Sequence, residues 1–338
     1  MPDRRRFLKT AAAAAVAPLL TRCAREEPAP RWTRAAFRKT DRSRVAVLEA
    51  ESYDADLTDL VGRGIALFDL PVRGRRVVLK PNFVEYDPAG AINTEPRLIA
   101  GTMEAFRRAG AREVVVAEGP GHRRDNEYLL TASGLHDALR QVGGRYTDLN
   151  VDAVRAVAKT TSYTGLARLY LPETVLDADL IVSMPKLKTH HWAGVTLSMK
   201  NLFGIMPGAV YGWPKNVLHH AGIAESILEI NAALRVPRFN IVDGIIGMEG
   251  NGPIQGEARA SRVLVLGEDP VAVDATAARL MTIDPMMIGY LREADAFLGN
   301  ATDDRIEQLA EDPERLRQDY VVMPGFEFVK PASLATGA

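Results

Sequence analysis

From residue 44 onward the apolar positions fall into two alternating periods. Short, nearly continuous runs of Val, Ile and Leu read as strands buried on both faces: RVAVLEA (44–50), RRVVLKPN (75–82), REVVVAEGPGH (112–122), ADLIVSMPK (178–186), RFNIVDG (238–244) and SRVLVLG (261–267). Between them, TEPRLIAGTMEAFRRAG (94–110) spaces its apolar residues three and four apart, with Thr94 as the expected cap and Gly110 as the stop. Further helices are expected near 56–68, 216–234, 270–281 and 286–298. The pattern predicts an α/β fold: a mostly parallel sheet with helices on both faces, in one body or in two lobes around a cleft.

The polar clusters occupy a common place in this pattern. KPN, EGPGH, MPKLKTHH and VDG each follow directly on an expected strand. In open α/β sheets, ligands bind outside the carboxyl ends of the strands, so these four segments are expected to meet at one edge.

The N-terminus departs from the globular pattern. RRRFLK (4–9) fits a twin-arginine export signal, and the alanine-rich run after it is too short to span a bilayer. Residues 1–30 are therefore expected to be a signal peptide, 31–43 a polar linker and 44–330 the α/β domain. The expected partner of the signal is the twin-arginine export machinery, and the expected location is beyond the cytoplasmic membrane. Cys23 stands where a lipid-anchored cysteine would stand, although Arg22 before it suits that processing poorly. No cleavage site is evident. The route carries folded proteins, which adds weight to a bound cofactor.

Composition narrows the chemistry. Cys23 is the only cysteine, so the domain has no internal disulfide and no cysteine-ligated iron–sulfur cluster or zinc site. A net charge of −1 and the lack of a basic run interleaved with aromatics argue against nucleic-acid binding. No segment after the signal is apolar enough to cross a membrane.

Five of the six histidines lie in three short stretches: His122, the pair His190 and His191, and the pair His219 and His220. His136 stands apart and reads as a packing residue. Imidazoles at strand ends suit proton transfer near neutral pH, and two from different loops can serve opposite faces of a bound carbon acid. Lys80, Asn82, Lys186, Lys188 and Lys200 stand at or near strand ends beside glycines and prolines, which suits an anionic ligand or cofactor. No Walker loop and no G-x-G-x-x-G fingerprint is present. Asp243 and Glu249, flanked by glycines, are candidates for a hard metal ion, whereas Asp269 before Pro270 reads as a helix cap.

Lys200 poses a sharper question. It sits among small and apolar residues, and no acidic residue lies between Asp179 and Glu225. Its partner must come from a distant loop, with Glu118 and Glu249 as candidates, or from a ligand. The ligand is the expectation.

VVLKPNFV, VVVAEGPG, ADLIVSMPKLKTHHWAGVTLSMKNLFGIMPG, VDGIIGMEGNGP and EDPVAVDATAARL resemble, in order, the blocks of the domain-of-unknown-function 362 family. A fainter resemblance is to the lactate racemase family, whose nickel-containing, nucleotide-like cofactor is held by a lysine among histidines. EGPGHRR places His122 on a catalytic histidine of that family. His190 stands ten positions before Lys200, which falls on the cofactor lysine, and His219 or His220 falls on a later histidine. The glycine-rich run before that lysine is here GVTLSM, and the substrate loop is unmatched. The cofactor is otherwise unspecified by the sequence.

The reading that follows is an exported α/β enzyme whose Lys/His cleft binds an anionic small molecule, with racemisation, isomerisation or a redox step as the reaction. The alternative is an exported, non-catalytic binding protein for an anionic ligand.

Overall fold

The computed structural model describes residues 32–121 and 125–331. The expected signal peptide, Cys23 and His122 lie outside the described residues.

The strands are β1 (Ser43–Glu49), β2 (Arg76–Pro81), β3 (Glu113–Glu118), β4 (Tyr146–Asp148), β5 (Val154–Val157), β6 (Leu169–Pro172), β7 (Leu180–Met184), β8 (Lys186–His190), β9 (Gly194–Thr196), β10 (Arg238–Glu249), β11 (Glu257–Gly267) and β12 (Ile306–Ala310). One ten-stranded sheet runs β12-β1-β11-β10-β7-β2-β3-β4, with β8 beside β10 and β9 beside β8. The pairs linking β10, β7, β2, β3 and β4 are parallel, as are β1–β12 and β10–β8. The long hairpin β10–β11 and the pairs β1–β11 and β8–β9 are antiparallel. The α/β class and the mostly parallel sheet are as the sequence pattern predicts.

Alternation within the strands explains the layers. Val45 and Val47 of β1, Ile181 of β7, and Val263 and Val265 of β11 enter one core, with the helices Ile223–Ala233 and Pro270–Leu280. Their neighbours Ala46, Leu48, Val182, Leu264 and Leu266 enter the other, against the helices Leu57–Ala66 and Pro96–Arg108. Burial on both faces is why these strands read as continuous apolar runs. Among the described residues, no helix is long and apolar enough to cross a membrane.

Four local expectations change. KLKTH is not a loop but β8: after Pro185 the chain resumes an extended course along β10, beyond the point where β2 ends. VDG is not a strand end either, because β10 runs on to Glu249. The expected helix 216–234 is two helices, Asn216–His220 and Ile223–Ala233, separated at Gly222, whose φ of 97° only glycine adopts readily. Thr94 does not cap its helix; its hydroxyl donates to Met184 O at 2.6 Å and accepts from Asn82 N at 2.8 Å. Asp269 does cap, accepting from Val271 N at 2.8 Å.

Candidate functional site

A cavity of about 340 Å³ opens past the ends of β2, β3 and β8. Its lining mixes the cations Lys80, Lys200 and Lys215 with His190, His191 and His219, and with the apolar surfaces of Phe83, Trp192, Phe203 and Ile254.

The floor is a closed ionic network. Lys80 Nζ donates to Glu118 Oε2 at 2.5 Å, Pro81 O at 2.8 Å and Asn201 Oδ1 at 2.9 Å, which uses all three ammonium protons. Glu118 also accepts from Gly119 N at 3.0 Å and Phe83 N at 3.3 Å. Burial pushes Lys80 down and Glu118 up, and each charge partly offsets the other's shift. Gly204 covers the pair so closely that a Cβ there would lie 2.0 Å from Glu118 Oε1. Lys215 closes one side in a left-handed backbone conformation (φ 70°), donating to Asn150 Oδ1 at 2.7 Å and to Met206 O. Burial lowers its ammonium to about 7, although Glu118 acts in the other direction.

The wall carrying Lys200 is built differently. Lys200 belongs to the short helix Ser198–Asn201, whose first amides are held by buried Asp274 at 2.7 Å from Ser198 N and 3.0 Å from Met199 N. Burial raises the Asp274 carboxyl to about 7. Lys200 Nζ lies 4.3 Å from the centroid of the Phe203 ring. Among the described residues it has no hydrogen bond and no ion pair. Burial, and then Lys80, lower it to about 8. Both carboxylates that might have served it are engaged: Glu118 with Lys80, and Glu249 with Arg259 at 3.4 Å and Val321 N at 3.0 Å.

Two further polar atoms of the lining lack partners among the described residues. Asn82 Oδ1 and Thr196 Oγ1 are buried without a hydrogen bond from any of them. Such atoms are rare and costly unless water or a ligand meets them.

His190 Nδ1 accepts from Trp192 N at 3.0 Å and Ala193 N at 3.2 Å. The His191 ring centroid lies 4.9 Å from that of His190 and meets the Trp192 ring edge-on at 4.5 Å. His219 Nδ1 lies 3.0 Å from Lys215 O, and its ring meets the Phe203 ring edge-on at 5.8 Å.

Several sequence candidates stand elsewhere. Lys186 is a buried partner of Asp243 at 2.9 Å and of Tyr53 Oη at 2.8 Å. Asp243 also accepts from Tyr53 Oη at 2.7 Å and Glu95 N at 3.0 Å. Lys188 donates to Ile92 O at 2.8 Å and Pro253 O at 3.2 Å, and burial holds it well below the usual lysine range. None of Lys186, Lys188, Asp243, Glu249 and His220 lines the cavity, and His220 is exposed. Asp243 and Glu249 find no third metal-binding partner; among the described residues no three His, Cys, Asp or Glu side chains group to hold a metal ion. His136 lies on the helix Leu135–Gln141, away from the cavity.

Lys215, Asn201, Thr196 and Phe203 were not marked by sequence reasoning. Lys215 had one weak signal: WPKN reads as a turn, where a buried lysine needs a reason. Nothing local announces Asn201, whose Oδ1 serves Lys80 from 121 positions away.

A family model described as a domain of unknown function (DUF362) matches residues 77–279. A thylakoid-associated protein of Synechocystis sp. is 29% identical over 264 residues, covering 72% of this chain and 76% of that one. Among solved structures, a Thermotoga maritima protein matches with a TM-score of 0.39 and 12% identity, covering 69% of this chain and 60% of its own. The lactate racemase apoprotein of Thermoanaerobacterium thermosaccharolyticum matches with a TM-score of 0.43 and 14% identity, covering 72% and 58%. This chain thus spans at most 60% of the length of these two solved proteins. Neither structural likeness bears on chemistry.

Proposed function

The chain belongs to the DUF362 family, and we propose that its cavity binds an anionic organic ligand or cofactor, with Lys200 pairing the negative charge. The observation that carries this reading is the Lys200 ammonium, half-buried at the cavity wall and without a carboxylate among the described residues. A desolvated ammonium is costly, and an anion brought by the ligand removes that cost. Asn82 Oδ1 and Thr196 Oγ1 would accept hydrogen bonds from the polar part of the same molecule. Phe83, Phe203, Trp192 and Ile254 would cover its apolar part. The imidazoles add what simple anion capture does not need, so the ligand is a reactant or cofactor in a proton-transfer reaction of the racemase or isomerase kind.

The nickel-containing, nucleotide-like cofactor implied by the sequence resemblance is compatible with these residues: an ammonium and two acceptors without partners among the described residues line the cavity. Lys200, Asn82 and Thr196 would hold it, and when bound it would supply the metal centre. A bare metal ion has no comparable cluster among the described residues. The protein's working place on this reading is beyond the cytoplasmic membrane, reached through the signal at residues 1–30.

The test is to purify the full-length chain and a Lys200→Met variant after cytoplasmic expression and to release bound small molecules for mass spectrometry. An anionic compound is expected with the wild type and is lost from Lys200→Met. Equal retention by both would contradict the reading.

A further inference from the structure

Hydrogen bonding fixes two histidines of the cavity in opposite tautomers. At His190, two backbone N–H groups point at Nδ1, from Trp192 at 3.0 Å and Ala193 at 3.2 Å. An N–H only donates, so Nδ1 accepts and the proton of the neutral ring sits on Nε2. His219 is reversed. Its Nδ1 lies 3.0 Å from the carbonyl oxygen of Lys215, which only accepts, so Nδ1 carries the proton and Nε2 keeps its lone pair. Both rings line the cavity, and neither Nε2 has a hydrogen-bond partner among the described residues.

The surroundings favour the neutral form of both rings. Burial lowers His190 well below the usual histidine range, and Lys200, His191, Lys188 and His219 add to it. Burial also lowers His219, with Lys200 and His220 adding and the bond to Lys215 opposing. A neutral ring with a free lone pair accepts a proton; a neutral ring with a free N–H donates a hydrogen bond. His190 cannot be a second base, because two amides cover its lone pair and loss of the Nε2 proton would leave an imidazolate.

We propose that His219 Nε2 takes a proton from the bound ligand and that His190 Nε2–H receives, as hydrogen-bond donor, the ligand oxygen on which the charge comes to rest. The proposal rests on the anionic-ligand reading above and specifies the ligand class: a carboxylate with an acidic C–H next to it. In the step, the ligand C–H bond breaks and an N–H bond forms on His219. The electron pair stays on the ligand as an enolate oxygen. No oxidant or reductant is consumed. Lys200 holds the carboxylate, so a single base and a single donor divide the work that paired bases would otherwise share.

The experiment is long-range proton–nitrogen NMR of the 15N-labelled full-length protein near neutral pH, with and without benzoate as the anionic probe. His190→Gln and His219→Gln assign the two rings. Proximity of the His219 ring to Phe203 assigns it independently should a variant fail to fold. His190 is expected as the Nε2–H form and His219 as the Nδ1–H form. Benzoate is expected to shift the His190 Nε2–H resonance and to raise the pKa of His219. A proton on Nδ1 of His190, or on Nε2 of His219, would overturn the proposal even with benzoate bound, leaving the anion reading intact. Failure of benzoate to bind the wild type would remove both.

Discussion

Lys80 and Lys200 line the same cavity, yet they live under different terms. Lys80 spends its three protons on Glu118, Pro81 O and Asn201, and a glycine is required to cover it. Among the described residues, Lys200 has only the face of Phe203. The difference teaches that residue type and strand-end position do not make a binding lysine. On the proposed reading, what separates a structural cation from a ligand-binding one here is whether the fold has already supplied its acceptors. By that criterion Lys186 and Lys188 stand with Lys80, since Asp243, Ile92 O and Pro253 O supply theirs.

The comparison breaks most visibly at the floor. Glu118→Ala leaves Lys80 buried without its counter-charge, and a loss of about 3–5 kcal/mol is expected in denaturant unfolding. Lys200→Met acts in the opposite direction. The folded pKa of Lys200 is depressed to about 8, so the unfolded chain holds its proton more tightly. That penalty is present below about pH 8 and is relieved as pH rises toward the unfolded value. At neutral pH the variant is expected to be more stable than the wild type by about 1 kcal/mol, because partial exposure of the side chain screens most of the shift. Destabilisation of both variants to a similar extent would erase the distinction.

Gly204 offers a milder probe of the same floor. Gly204→Ala places a methyl group 2.0 Å from Glu118 Oε1, where the network has no slack. A loss of about 1–3 kcal/mol is expected, read from the thermal midpoint. A variant as stable as the wild type would mean that the floor gives way easily.

The pH dependence of binding sharpens the other side. Lys200 is charged below about 8, and a bound anion raises its pKa further. Benzoate affinity is therefore expected to fall by up to about tenfold per pH unit above that value. Titration by calorimetry between pH 6 and 10 reads this slope, and a flat profile would assign the anion to another cation.

Much of this was legible beforehand, for physical reasons. Strands such as RVAVLEA and SRVLVLG are buried on both faces, and their apolar runs announce it. The same rule failed at β8, where KLKTH alternates charge and reads as solvated. Its lysines are buried because acceptors arrive from up to 96 positions away in sequence, which no local pattern reveals. Pro185 hid the strand further by interrupting the run from β7. The cavity lining was legible where titratable side chains are concentrated, at His190, Lys200 and His219, and illegible at Lys215 and Asn201, whose places depend on Asn150 and Lys80.

The most direct measurement is the affinity of the full-length protein for benzoate at pH 7, compared between wild type, Lys200→Met and Lys186→Met, with each variant's unfolding midpoint as the control for folding. A ligand charge held by Lys200 predicts a loss of about 10- to 100-fold for Lys200→Met, the worth of one charge-assisted hydrogen bond. Lys186→Met, once folded, should bind as the wild type does, because Lys186 lies outside the cavity. Unchanged affinity in a folded Lys200→Met variant would contradict the account.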